Sequence, residues 1–201
     1  MQQQVMDMAV AQSLLTMEKA LDAEIDRMDN LNEDDLATIR SRRIAAMKKE
    51  AEQKQANINN GHGALTQITE QKEFFDAAKK SNKMVVVFTR NSNEHGKQLL
   101  EHMKRLATSH LEARFLWIEA ENAPFLTDRF NIFMLPTIVC IEDNKVKTQH
   151  NGLNDLDGSG KYTTGMLEFL LNAADGILDD APIYEQELRD AEDAELEEDD
   201  D

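Results

Sequence analysis

Apolar side chains near the start of the chain recur three and four positions apart. Val5 and Met8 lead in, and then Leu14, Met17, Leu21, Ile25 and Met28 follow at spacings of 3, 4, 4 and 3. That spacing puts them on one stripe of an α-helix. It predicts a helix from about residue 3 to 30, roughly 40 Å long at 1.5 Å per residue. No Gly or Pro interrupts the chain before Gly61. Asn32 is placed to cap a second helix over about Glu33 to Ala56, with Glu33, Asp34 and Asp35 in its first turn, where negative charge favours the helix dipole. This helix carries Leu36, Ile39, Ile44 and Met47, then Lys48, Lys49 and Lys54 toward its end. The apolar stripe holds no strict heptad, so a long homodimeric coiled coil is not supported. An exposed Leu- and Met-bearing face of this kind reads as a partner-binding arm.

Gly61-His62-Gly63 breaks the helical period and marks a domain boundary. Beyond it helices and strands alternate. "ALTQIT" (64–69) reads as a short strand, and Thr69 can cap the helix holding Phe74 and Phe75. "MVVVFT" (84–89) is a nearly unbroken apolar, β-branched run, the mark of a strand buried on both faces. A polar loop follows, and then a helix beginning near Gly96 with Leu99, Met103 and Leu106 on one face. "ARFLWIEA" (113–120) is a third strand and "APFLTDRF" (123–130) a short helix. "TIVCIED" (137–143) and "VKTQH" (146–150) form a hairpin about Asp143-Asn144. "TTGMLEFLLNAA" (163–174) is the last helix, capped by Thr163 or Thr164.

Charge narrows the partners. The chain has 201 residues, 41% of them hydrophobic, and a net charge of −17. Such acidity argues against nucleic acid, whose phosphates need clustered Lys and Arg, and against anionic membrane surfaces. Residues 185–201 hold eleven Asp or Glu and one Arg. A block that acidic repels itself and is expected to be disordered. The expected layout is a helical arm over 1–60, an α/β domain over 61–178 and an acidic tail over 179–201. Cys140 is the single cysteine, so no internal disulfide forms, as suits a reducing compartment. There is no run of about 18 apolar residues, and "MQQQVMDMAVAQ" lacks the basic and apolar regions of a signal peptide. A cytoplasmic protein is expected.

The strand–loop–helix at 84–106, Leu135-Pro136-Thr137 before a strand, and the hairpin followed by "NGL" and a helix resemble the thioredoxin fold. Within that superfamily the chain resembles the phosducin-like family. The resemblance rests on "DDLATIRSRRIAAMKK" (34–49), "GHG" (61–63), "QKEFF" (71–75), "APFL" (123–126), "LPT" (135–137), "TTGMLE" (163–168) and "GIL" (176–178). It implies an α/β, thioredoxin-like domain with an N-terminal helical extension, and a cis Leu135–Pro136 bond. It also implies binding to the cytosolic chaperonin CCT (TRiC), with effects on its ATPase and on folding of actin- and tubulin-type clients. The arm residues Leu14, Met17, Leu21, Ile25, Met28, Leu36, Ile39, Arg40 and Arg43 would carry that contact. Related phosducins bind G-protein βγ dimers, which leaves an adaptor for another complex as the alternative.

Thioredoxins open the helix after this loop with two cysteines in C-x-x-C, and the helix N-terminus lowers the thiolate pKa. Here the two positions hold Asn93 and Gly96. Phosducin-like proteins commonly keep a cysteine at the second position, so Gly96 departs from that pattern. Neither residue can attack a disulfide, and Cys140 is expected in the core. No thiol–disulfide activity and no enzyme is expected. His95, His102 and His110 read as surface histidines, and no cysteine or carboxylate completes a metal set with them. Gly152, Gly158 and Gly160 match no phosphate loop, and "DLDGSG" lacks the glutamate of a calcium loop. No cofactor is expected.

Overall fold

The run at 84–88 becomes the centre of a five-stranded sheet. The structure, a computed structural model, describes residues 33–158 and 160–198. The expected helix over 3–30, with Leu14, Met17, Leu21, Ile25 and Met28, lies outside them. In chain order the elements are α1 (Glu33–Asn59), β1 (Thr66–Ile68), α2 (Gln71–Ala78), β2 (Lys83–Thr89), α3 (Glu94–Ser109) and β3 (Arg114–Glu119). Then come α4 (Pro124–Arg129), β4 (Thr137–Glu142), β5 (Lys145–Asn151), α5 (Thr164–Phe169) with a wider turn over Leu170–Ala174, and α6 (Pro182–Glu198). The strands lie in the order β1-β3-β2-β4-β5. β1 and β2 flank β3 in parallel, while β4 runs antiparallel to both β2 and β5. This is a thioredoxin fold.

β2 is apolar throughout because each of its faces meets a helical layer. Val85 and Val87 pack with Leu99, Met103 and Leu106 of α3 and with Leu167 of α5. Met84, Val86 and Phe88 pack with Phe74 of α2 and Leu126 of α4. All five of these strand residues are buried. The β4–β5 hairpin turns through Asp143 and Asn144, at φ 50° and 62°. Those left-handed values suit a two-residue turn and are tolerated by Asp and Asn.

Local differences from expectation have local causes. β1 is shorter than 64–69. The cap position of α2 is Glu70, not Thr69, and it makes no side-chain cap bond. Instead Glu73 reaches back to the Thr69 N–H and hydroxyl, at 3.3 and 3.1 Å. Thr163 caps α5, its hydroxyl accepting from Met166 N–H at 3.1 Å.

The chain divides into two units inside α1, after Ala51. The last turns of α1 belong with the second unit through side-chain bonds. Asn57 Nδ2 donates to Leu111 O at 2.9 Å, and Asn60 Nδ2 to Lys80 O at 3.3 Å. His62 is buried between Leu111 O at 2.9 Å and Ser81 Oγ at 2.8 Å. Burial lowers the pKa of His62, as suits a neutral ring that donates through Nδ1 and accepts through Nε2. The helix stops where Gly61 takes φ +91°, a shape open to glycine.

The acidic segment expected to be disordered begins instead with a helix, α6. Its first turns have partners. Tyr184 N–H donates to the buried Glu168 at 2.8 Å, and Glu187 accepts from Gly165 N–H at 3.1 Å. The Phe169 and Tyr184 rings lie 4.6 Å apart, and Ile183 packs against the core. A side chain at Gly165 would meet the Tyr184 backbone at 2.8 Å, so glycine lets the two helices approach. Summing charge over the segment hid the apolar and hydrogen-bonding residues at its start.

Candidate functional site

The place where a thioredoxin carries its cysteines is here a structured junction. α3 begins at Glu94, two residues before the expected start, with Asn93 as its cap. Asn93 Oδ1 accepts from Gly96 N–H at 3.1 Å. Its Nδ2 donates to Leu135 O, also at 3.1 Å. One side chain therefore caps the helix and ties it to the loop that precedes Pro136. The Leu135–Pro136 bond is cis.

Gly96 is closely packed. A Cβ there would overlap Thr89 Oγ1 and lie 3.1 Å from Thr89 Cβ. Thr89 ends β2, is buried, and among the described residues its hydroxyl has no hydrogen-bond partner. The threonine side chain thus fills the space that a cysteine side chain would enter.

The surroundings are apolar and open. Phe133 is 72% exposed and Met134 42%, both on the loop before the cis bond. In the loop before α3, Asn91 and Ser92 are exposed, and Pro136 is buried. This surface offers apolar side chains and amide groups.

Cys140 lies four residues beyond Pro136, fully buried in β4. Its Sγ lies 3.3 Å from Asp175 Oδ2. Burial, with Asp175 beside it, holds the thiol well above its ordinary pKa. A buried thiol kept protonated is a poor nucleophile. Asp175 is also bonded by His150 Nε2 at 2.9 Å, and His150 Nδ1 meets Asp155 at 2.6 Å. The bond to Asp175, with that to Asp155, raises the pKa of His150 against the effect of burial.

The three histidines expected at the surface differ. His95 is exposed. His102 bonds Thr164 Oγ1 at 2.8 Å, and burial lowers its pKa. His110 is 1% exposed and lies between Glu112 at 2.8 Å and Glu168 at 2.7 Å. Burial opposes a proton on the His110 ring, but the bonds to the two carboxylates outweigh it and raise the pKa. Carboxylates do gather about this histidine, contrary to expectation. Glu168 comes from 58 residues further on and Asp180 from 70, and no local spacing reveals such a set.

No family model matches the chain. Among solved structures it is similar to a thioredoxin from Halobacterium salinarum, 16% identical, covering 56% of this chain and 92% of that one at a TM-score of 0.48. Among curated proteins it is 42% identical over 164 residues to phosducin-like protein 3 of Drosophila melanogaster, covering 82% of this chain and 76% of that one. It is 34% identical over 171 residues to human thioredoxin domain-containing protein 9, covering 85% and 76%. The chain belongs to the family of phosducin-like protein 3 and thioredoxin domain-containing protein 9. An Arabidopsis thaliana homolog of thioredoxin domain-containing protein 9 is 39% identical over 166 residues, covering 83% and 78%.

In this phosducin-like chain the arm residues within the described region lie on α1. Every residue from Leu36 to Ala56 is exposed. Leu36 and Ile39 are each about half exposed, and Ile44 and Met47 are 60% exposed. At 3.6 residues per turn, Leu36, Ile39, Arg40, Arg43, Ile44 and Met47 share an arc of about 140°. Residues 36–49 contain five Lys or Arg and no acid, in a chain of net charge −17. Among the described residues no helix is long and apolar enough to cross a membrane.

Proposed function

We propose that the chain is a non-catalytic, cytoplasmic co-factor of the chaperonin CCT (TRiC), modulating its ATPase and the folding of actin- and tubulin-type clients. The observation that carries this reading is the exposed face of α1. Apolar side chains at half exposure, interleaved with Arg40 and Arg43, form a surface suited to a partner groove. Family membership supports it, and so does a thioredoxin domain whose helix start is packed shut at Gly96. The fold then serves as a platform, with the loop carrying Phe133 and Met134 as a second contact.

The test mixes purified full-length chain with purified CCT and follows co-elution by gel filtration. Co-elution is expected, and Leu36→Ser with Ile39→Ser weakens it about tenfold or more, as for the loss of anchor residues. Absence of co-elution overturns the reading and leaves an adaptor for another complex, such as a G-protein βγ dimer, as the alternative.

A further inference from the structure

Three carboxylates converge on one buried imidazole where α3, β3 and the entry to α6 meet. His110 directly follows α3. Its Nε2 lies 2.7 Å from Glu168 Oε1, on α5, and Glu168 is fully buried. Its Nδ1 faces the opposite way, 2.8 Å from Glu112 Oε1 and 3.7 Å from Asp180 Oδ1. The Asp180 side chain is 76% exposed, whereas the ring itself is 1% exposed.

One imidazolium offsets only one of the three carboxylates. The donor atoms stand near the spacing of a cation's ligands. Ligand atoms about 2.0–2.2 Å from a tetrahedral ion stand about 3.3–3.6 Å from each other. The Nδ1, Glu112 and Asp180 donor atoms are separated by 2.8 and 3.7 Å along two edges, and all lie within 4.8 Å of one another. Behind the ring, Glu168 accepts from Nε2–H, which leaves Nδ1 as the ligand nitrogen once its proton is displaced. A carboxylate placed there is what orients metal-binding histidines. The carboxylates are themselves held. Tyr184 N–H donates to Glu168 at 2.8 Å, and Asp179 N–H to Glu112 at 3.3 Å.

We propose that His110, Glu112 and Asp180 form a binding site for a divalent transition-metal ion of the zinc type, oriented by Glu168. One imidazole with two carboxylates suits a borderline ion better than calcium or magnesium, which take oxygen donors. Binding releases the Nδ1 proton to solvent as the ion takes its place. The ion ties the end of α3, the turn into β3 and the segment entering α6, and so pins the acidic helix to the domain.

An ion-pair clip without metal differs from this at Asp180. An exposed carboxylate 3.7 Å away adds little to an ion pair, but it is a full ligand to a metal. The test is competition for Zn²⁺ between the full chain and a chromophoric chelator at pH 7.5, with thermal unfolding alongside. The wild type takes one ion per chain and gains thermal stability from it. Asp180→Asn, which leaves the buried bonds of His110 intact, weakens binding about tenfold or more, and Glu112→Gln does likewise. Absence of stoichiometric binding overturns the proposal. So does an Asp180→Asn variant that binds as the wild type does, because the ion then sits elsewhere.

Discussion

Thr89 Oγ1 occupies the space that a Cβ on Gly96 would enter. The second thiol position is therefore closed by packing as well as by residue type. A cysteine placed at this position meets this obstacle directly. Gly96→Cys is expected to destabilise the domain by about 1–3 kcal/mol, the usual range for overpacking. Thr89→Ala in the same chain makes room and recovers part of the loss. Urea unfolding of the two variants decides it, and a Gly96→Cys protein as stable as the wild type contradicts the packing account.

Asn93 has two separable roles, capping α3 and holding Leu135. Asn93→Ala loses both, at about 1 kcal/mol for the cap and about 1 kcal/mol for the second bond. Asn93→Asp keeps an acceptor for Gly96 N–H and loses the donor to Leu135 O. It should fall between wild type and Asn93→Ala in denaturant midpoint. Equal stability for Asp and Ala would mean that capping contributes nothing here.

His150 and Asp175 make stability depend on pH in a defined direction. His150 has a raised pKa, chiefly from its bond to Asp175. Its contribution is complete below the unfolded value of about 6.5 and is lost as pH rises through the folded value. Burial pushes Asp175 up, but the His150 bond and charge, with Cys140, bring it below its ordinary value. Its contribution is complete above about 3.9 and is lost as pH falls through the folded value. The pair is therefore strongest between about pH 4 and 6.5. His150→Gln should be clearly less stable than wild type at pH 6, with the gap narrowing toward pH 9. Unfolding curves across that range, taken in chelator, report it, and a gap that widens with pH would reverse the assignment.

Cys140 should behave as a core residue. In the native chain it resists alkylation, and after denaturation it takes one equivalent of reagent. Insulin reduction should stay at background for the wild type and for Cys140→Ser alike. Activity in the wild type that disappears in Cys140→Ser would overturn the thiol-free reading.

Much of the fold is visible in short stretches because burial on both faces leaves little freedom. β2 reads as a continuous apolar run since Val85 and Val87 serve one layer while Met84, Val86 and Phe88 serve the other. The Asp143-Asn144 turn is legible because few residues tolerate its backbone. Asn93 and Gly96 are legible through alignment with the C-x-x-C positions. What Gly96 packs against is not, because Thr89 lies across a loop from it. The setting of His110 escapes the sequence for the same reason, since Glu168 and Asp180 reach it only through packing of α5 and the entry to α6. Net charge misleads at α6, where Ile183, Tyr184 and Glu187 anchor a helix that composition alone reads as unstructured.

The most direct test of the chaperonin role is the steady-state ATP hydrolysis rate of purified CCT, measured while the full chain is added to saturation. The account predicts a saturable change in rate that is lost with Leu36→Ser and Ile39→Ser on α1. A rate that stays constant at every concentration would contradict it.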